Sequence, residues 1–221
     1  MGKKIAVIHT SLAIRERLDE EIMRQIPGAE IHNIIDERIL SDVMKKGVDE
    51  DICRRISLYI LAGESMGADI ILNACSSVGE AFGIGTHLTK TPCLKIDQAM
   101  AEEAVRCGSS IAVYGTVATT LEPSARLIET EAGKIGKKVS VTRYLIDGAF
   151  QILAEEKNAQ KHNQMVMKKI METKERHDVI VLAQASMAVL IPEMKNVTQP
   201  VLYSINSGVK RLKKMLEQAA S

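Results

Sequence analysis

Short apolar runs and longer helical patterns alternate along the whole chain. Apolar runs that are bounded by polar or turn residues are typical of buried strands. Eight such runs predict strands at 3–9, 30–35, 70–72, 92–96, 110–114, 138–145, directly after 178, and at 200–204.

Between these runs, apolar residues recur every three or four positions, a spacing that predicts helices. The predicted helices are 12–26, 37–67 with a break at Gly47, 98–107, a segment after Thr116, a long region to about 176, and 206–218. The first helix is marked by the helical spacing of Leu12, Leu18, Ile22 and Ile26. The predicted core positions of the later helices are Ile39, Val43, Ile52, Ile56 and Ile60, then Leu121, Leu127 and Ile128. Alternating strands and helices predict an α/β fold of parallel sheets with helices on both faces.

Three segments of the first half recur in the second half in the same order. Residues 5–10 align with 111–116, 69–77 with 178–186, and 92–94 with 200–202, at offsets of 106 to 109 residues. A repeat of this length predicts two similar lobes rather than a solenoid. We expect lobe 1 to comprise 1–97 plus 206–221 and lobe 2 to comprise 98–205.

Parallel sheets place their ligand sites at the carboxyl ends of the strands. In two related lobes, the turns at Thr10, Cys75, Thr116 and Gln184 would therefore surround one cleft. Gln184 is a polar amide at the end of an apolar strand, where it must find hydrogen bonds.

Cys75 lies where a predicted strand passes into a predicted helix. Ser76 or Ser77 can cap that helix, and Glu80 falls in its first turn. The helix dipole and the free backbone N–H groups favour a thiolate, so this location predicts a lowered thiol pKa. The same N–H groups can hold a carboxylate. The alternative is a buried structural cysteine, because free cysteines are among the most buried residues.

Composition excludes several classes of protein. The 221 residues carry a net charge of +1 and are 3% aromatic, which argues against nucleic-acid or anionic-membrane partners. No apolar stretch approaches the roughly 20 residues that span a bilayer, and the start lacks a signal-peptide pattern. The four cysteines show neither metal spacing nor a disulfide framework, which predicts a reduced, cytoplasmic protein.

The five histidines give weaker signals. His9 ends the first predicted strand and is equally consistent with a structural residue or an acid/base group. His87, His162 and His177 lie among polar residues and are predicted on the surface.

Asn73-Ala74-Cys75-Ser76-Ser77 and a strand followed by Gly115, Thr116 and Thr119 resemble the aspartate/glutamate (hydantoin) racemase superfamily. The resemblance implies two similar α/β lobes with the active site between them and no pyridoxal phosphate or metal cofactor. It implies proton transfer by Cys75 beside a carboxylate, through an enediolate. The carboxylate binders that it implies are Ser11, Asn73, Ser76, Ser77, Thr116, Thr119 and Ser186.

Gln184 stands where two-cysteine members of that superfamily carry their second cysteine. Glutamine cannot act as a proton base near neutral pH. The chain is therefore similar to a single-cysteine member, in which Gln184 would donate its amide to the substrate. His9, a bound water or the substrate itself would supply the second proton transfer.

These observations favour a cofactor-independent racemase, epimerase or isomerase of a small carboxylate, either an amino acid or a hydroxy acid. One alternative is a decarboxylase or other lyase that uses one thiol as proton donor. Another is a non-catalytic carboxylate-binding or thiol-sensing protein. The sequence does not name the substrate, and base rates alone favour a homodimer.

Overall fold

Eight parallel strands form two sheets in the computed structural model, which describes residues 2–219. The first sheet has the order β2-β1-β3-β4 and the second the order β6-β5-β7-β8. The strands are β1 Lys4–His9, β2 Glu30–Ile35, β3 Ile70–Asn73, β4 Cys93–Lys95, β5 Ser110–Gly115, β6 Ser140–Leu145, β7 Val179–Leu182 and β8 Val201–Tyr203. The predicted α/β fold with two parallel sheets is thus confirmed.

Helices connect the strands throughout the described chain. They are α1 Arg15–Gln25, α2 Glu37–Lys46, α3 Glu50–Ser65, α4 Gly79–Gly85, α5 Gln98–Cys107, α6 Ala118–Lys134, α7 Ala149–Ala154, α8 Ala159–Thr173 and α9 Ser204–Gln218. Short 3-10 segments occupy Leu12–Ile14, Ser76–Val78, Thr86–Leu88, Lys174–Arg176 and Ala185–Glu193. No helix within residues 2–219 is both long enough and apolar enough to cross a membrane.

The chain divides into two compact units, which we call unit 1 and unit 2. Unit 1 comprises Met1–Gln98 with Ile205–Ser221, and unit 2 comprises Ala99–Ser204. Met1, Ala220 and Ser221, which the sequence assigns to lobe 1, lie outside the described residues.

The two units have the same strand order, and in both an aspartate carboxylate binds backbone N–H groups where a central strand begins. In unit 1, the Asp69 carboxylate accepts a 2.8 Å hydrogen bond from the backbone N–H of Lys4. In unit 2, Asp178 accepts 2.9 Å bonds from the N–H groups of Ser109 and Ser110. The two aspartates that align in the sequence therefore serve the same purpose in the fold.

Two helix predictions differ from the structure at their ends. Residues 12–14 form a 3-10 turn before α1, so the α-helix begins at Arg15 and Leu12 is 48% exposed. The long helical region up to 176 is interrupted before α8, because Lys157 has a φ of 53° and Asn158 caps the new helix at Lys161 N. The break predicted at Gly47 is confirmed, with a φ of 76° that favours glycine.

Both sheets pack apolar side chains on their faces. In unit 1, the predicted core residues of α2 and α3 are buried against Ala6, Ile8 and Ile71 of the sheet. In unit 2, alternation along β5 sends Ile111 and Val113 into one cluster and Ala112 and Tyr114 into another. This apolar packing fixes the position of each sheet and therefore of the carboxyl ends of its strands.

The core of unit 1 makes a direct stability prediction. Ile56→Ala should lower the free energy of unfolding by about 2–5 kcal/mol, because it leaves a cavity at a fully buried position. Leu58→Ala, on the same helix but 56% exposed, should change it by no more than about 0.5 kcal/mol. Urea unfolding followed by circular dichroism measures both, and equal losses would contradict this packing.

Candidate active site

The carboxyl edge of the first sheet aligns Thr10, Cys75 and Asp97. Backbone bonds extend the ladder past the last strand residues, from Ala74 N to Ile8 O and from Ile96 N to Asn73 O, both 3.0 Å. The register pairs Ile8 with Asn73, and Asn73 with Lys95. Two positions further on, the same register puts Cys75 between Thr10 and Asp97, on strands about 4.8 Å apart.

Asn73 fixes the backbone of Cys75 from both sides. Its side-chain N–H donates to the carbonyl oxygen of Cys75 at 2.9 Å, and its side-chain oxygen accepts from the N–H of Cys75 at 3.2 Å. The sequence predicts a substrate-binding role for Asn73. In the structure its buried amide positions the cysteine.

The Cys75 thiol lies among donors yet holds its proton more tightly than an ordinary thiol. Burial raises its pKa and is the largest effect. Hydrogen bonds from the Thr10 hydroxyl, from the hydroxyl and N–H of Ser77 and from the N–H of Val78 act in the opposite direction. The predicted lowering of the pKa is therefore wrong, because the helix-start donors do not outweigh the desolvation of the thiol.

The two serines after Cys75 do not cap the following helix. A 3-10 turn, Ser76–Val78, precedes α4, and neither Cys75 nor Val78 makes a capping bond with its side chain. Ser76 instead hydrogen-bonds Asp97, and Ser77 bonds the thiol. Glu80 lies in the first turn of α4, as predicted.

Asp97 is a site residue that sequence reasoning missed. It is 4% exposed, and burial raises the pKa of its carboxyl, while the bond from Ser76 and the charge of Lys95 act against this rise. Its signal in the sequence is an acidic residue directly after a predicted strand, at the edge where ligands bind.

In unit 2, Gln184 and Thr116 form one hydrogen-bonded pair. The side-chain oxygen of Gln184 accepts from the N–H of Thr116 at 2.5 Å and from its hydroxyl at 2.9 Å. Because a backbone N–H can only donate, the amide oxygen must face Thr116. The NH2 group of Gln184 consequently points elsewhere and has no partner among residues 2–219, so it is available as a donor.

The remaining predicted site residues occupy the same turns with different partners. The Ser11 hydroxyl accepts from Ala13 N at 3.2 Å and caps the 3-10 turn after β1. The Thr119 hydroxyl is buried without a partner among residues 2–219, and Ser186 is half-buried in the 3-10 segment after Gln184. His9 contacts Asn33 rather than Cys75.

The other histidines for which the sequence predicts a surface position differ in their exposure. His87 is exposed, as predicted. His162 is buried, and His177 is half-buried between Ser110 and Tyr144, so the surface prediction is wrong for both. Within the part of the chain that the structure describes, no group of three or more His, Cys, Asp or Glu side chains is arranged to hold a metal ion.

The fold and these turns define a class of duplicated α/β proteins, with one polar turn in each repeat. The chain belongs to the Asp/Glu/Hydantoin racemase family, whose model matches residues 5–212. Membership in this family supports a racemase or isomerase function. No curated protein sequence matches the chain.

Solved racemase structures share the fold at low sequence identity. An allantoin racemase from Klebsiella pneumoniae is 20% identical, with a TM-score of 0.70 over 98% of this chain and 88% of its own. An aspartate racemase from Picrophilus torridus is 14% identical, with a TM-score of 0.70 over 99% and 95%. A glutamate racemase from Francisella tularensis, solved in complex with D-glutamate, is 12% identical, with a TM-score of 0.72 over 99% and 82%.

The raised pKa of Cys75 predicts slow alkylation at neutral pH. Iodoacetamide labelling of Cys75, followed by peptide mass spectrometry, should rise with an inflection above the ordinary thiol value of about 8.5. Thr10→Val should move that inflection higher, because it removes a donor to the thiolate. Labelling of the exposed Cys107 in the same sample is the control that the reagent is active. An inflection at or below about 8.5 would contradict the assignment.

The buried Asp97 predicts a pH-dependent effect of its neutral isostere. Because its folded-state pKa is raised, its protonation stabilises the fold at low pH, and this contribution is lost as pH rises through the folded pKa. Asp97→Asn should therefore gain in Tm relative to wild type as pH rises from the ordinary carboxyl pKa of about 3.9 through the raised folded-state pKa of Asp97.

Asp178→Asn is the matched control for Asp97→Asn. Hydrogen bonds from Ser110 and Ser109 lower the pKa of Asp178, so its contribution is present above the unfolded pKa and lost in acid. Relative to wild type, Asp178→Asn should therefore lose Tm as pH rises through the acidic range. If the Tm differences of Asp97→Asn and Asp178→Asn from wild type had the same sign and the same pH dependence, the opposite pKa shifts assigned to the two aspartates would be wrong.

Proposed function

We propose that the chain is a cofactor-independent racemase, epimerase or isomerase of a small carboxylate. Cys75 transfers a proton at the carbon beside the carboxylate, through an enediolate. The observation that carries the proposal is the Cys75 thiol at the carboxyl end of β3, hydrogen-bonded by Thr10, Ser77 and Val78. Family membership supports the same reaction class.

The protonation state of Cys75 favours its use as an acid in the free enzyme. Because burial raises the pKa of the thiol, it carries its proton at neutral pH. Once the proton has moved to the enediolate carbon, the thiolate accepts hydrogen bonds from a hydroxyl pair and two backbone N–H groups. The same groups support the reverse step, in which the thiolate removes the proton.

Donors for the substrate carboxylate are the second requirement. The N–H and hydroxyl of Thr116 are both directed at Gln184, so we assign the donor role in unit 2 to the free NH2 of Gln184. Further candidate donors are Ser11, Ser76, Ser77, Thr119 and Ser186. Among these, the Thr119 hydroxyl is buried and unpaired, which suits a group that a ligand completes.

We infer an amino acid or hydroxy acid as the substrate class. The D-glutamate complex of the Francisella racemase supports a small amino-acid carboxylate. The shared cleft between the lobes, independence from cofactors, a cytoplasmic location and a homodimer stay predictions.

A decarboxylase is the second candidate, because only one of the two corresponding turns carries a thiol. The carbon–carbon bond of a malonate-type acid would break, carbon dioxide would leave, and its electron pair would form the enediolate. The proton of Cys75 would then pass to the enediolate carbon, and solvent would reprotonate the thiolate. A carboxylate-binding or thiol-sensing protein is the non-catalytic outcome.

Proton NMR in deuterium oxide distinguishes these functions. Incubation with each enantiomer of aspartate, glutamate and malate should replace the proton beside a carboxylate in one compound by deuterium. With 2-methylmalonate, a decarboxylase would instead put deuterium in place of the carboxylate that leaves as carbon dioxide. Cys75→Ser should slow this at least about 100-fold, because the proton-transfer group is lost. Cys107→Ser, which removes an exposed thiol, should leave the rate unchanged.

The products then separate the candidates. An inverted enantiomer supports the isomerase, and deuterated propionate supports the decarboxylase. If no compound exchanges with wild-type protein, or if Cys75→Ser exchanges at the wild-type rate, the proposal fails.

A further inference from the structure

Lys95, the last residue of β4, lies on the same face of the first sheet as Cys75. The register pairs Ile71 with Cys93 and Asn73 with Lys95, and paired residues of parallel strands share a face. Cys93 and Cys75 both pack against the apolar cluster on the α3 side of the sheet. Because every second residue of a strand returns to the same face, Lys95 and Cys75 share this face at the carboxyl edge.

Two observations locate the Lys95 side chain at the turn that follows Cys75. Its Cδ lies 3.6 Å from the position that a Cβ on Gly79 would occupy, so the stem packs against the end of this turn. Its positive charge opposes the rise in the pKa of Asp97, whose carboxyl is hydrogen-bonded by Ser76 at the start of the turn. The ammonium group is therefore next to the segment whose N–H groups and hydroxyl hold the Cys75 thiol.

The ammonium group of Lys95 has donors to spare. Among residues 2–219, its Nζ forms no ion pair and donates no hydrogen bond, although an ammonium carries three donors. Glu80, the residue after Gly79, acts on the Cys53 thiol of α3 and helps to raise the pKa of that thiol. Lys95 is half-buried. A cation in this setting is a group that an anion can complete with charge-assisted hydrogen bonds.

Asp97 and Cys75 are poor counter-ions for Lys95. Burial raises the pKa of Asp97 even though the lysine charge acts against this rise. Burial is also the largest effect on the Cys75 thiol, and it raises that pKa as well. Both groups therefore keep their protons to higher pH than ordinary side chains of their kind, and the turn retains the positive charge of the lysine.

We propose that the Lys95 ammonium binds the carboxylate of the substrate at the Cys75 turn, and that its charge stabilises the enediolate. This inference rests on the proposed function, and it adds a charged donor to the neutral amide and hydroxyl donors assigned there.

The charge acts where the reaction creates negative charge. When the Cys75 thiolate removes the proton from carbon, the electron pair of the C–H bond passes onto the carboxylate oxygens. A cation beside those oxygens offsets the added negative charge. In the return step, the thiol gives back its proton, and the electron pair forms the C–H bond again.

Alkylation of Cys75 tests the anion site without turnover. Iodoacetate carries a carboxylate, iodoacetamide is its neutral counterpart, and both react with the same thiolate. The ratio of their two rates therefore reports the local charge and cancels the pKa of Cys75. Lys95→Met, which keeps most of the stem but removes the charge, should lower this ratio at least about fivefold. Lys95→Arg keeps the charge and should keep the ratio near its wild-type value.

Three controls separate the charge at position 95 from other effects. Lys90→Met removes an exposed lysine just before β4 and should leave the ratio at Cys75 unchanged. The exposed Cys107 should show the same ratio in wild type and in Lys95→Met. In wild type, raising the ionic strength from about 10 mM to about 1 M should lower the ratio at Cys75 severalfold. An unchanged ratio in Lys95→Met, or in wild type at high ionic strength if that variant does not fold, would overturn the proposal.

Proton exchange gives the second test. With the carboxylate that exchanges in the NMR panel, Lys95→Met should lower kcat/KM at least about 10-fold, and Lys95→Arg should restore part of it. A wild-type kcat/KM in Lys95→Met would overturn the role of Lys95 and leave the thiol chemistry intact. If wild type exchanges no compound, the proposed function and the enediolate role of Lys95 fail together, whereas the labelling ratio still decides whether Lys95 binds a carboxylate.

Discussion

The parallel ladder between β1 and β3 is the constraint on which the candidate site depends. Its register places Thr10 beside Cys75, and strand alternation turns His9 to the opposite face of the sheet. The Thr10 hydroxyl would no longer meet the Cys75 thiol if this register slipped by one residue, because a slip exchanges the two faces. The apolar packing under the sheet therefore stabilises the site as well as the fold.

Competition between burial and hydrogen bonding sets the chemistry of the turn. Donors around Cys75 stabilise a thiolate, yet desolvation is larger and leaves a thiol. Burial lowers the pKa of His9, because it disfavours the positively charged imidazolium. Burial therefore favours the neutral form of both side chains at neutral pH.

The sequence predicted the fold and the turn positions, because buried strands and a duplicated pattern are local signals. It also placed Cys75 and Gln184 after the carboxyl ends of two strands, where the structure has them. It could not predict the hydrogen-bonded chain of His9, Asn33 and Asp19, since these residues come from three different elements and meet only through packing. The pKa of Cys75 was predicted with the wrong sign, because a motif reveals nearby donors but not the depth of burial. Ser76 and Ser77 were assigned as caps because the sequence does not reveal the 3-10 turn that precedes α4.

The central claim is that Cys75 moves a proton beside a carboxylate. Its most direct test is a comparison of deuterium incorporation from solvent by wild-type protein and by Cys75→Ser, followed by mass spectrometry of each carboxylate in the panel. The account predicts one added deuteron per product molecule with wild type and a rate at least about 100-fold lower with Cys75→Ser. Equal incorporation by the two proteins would contradict it.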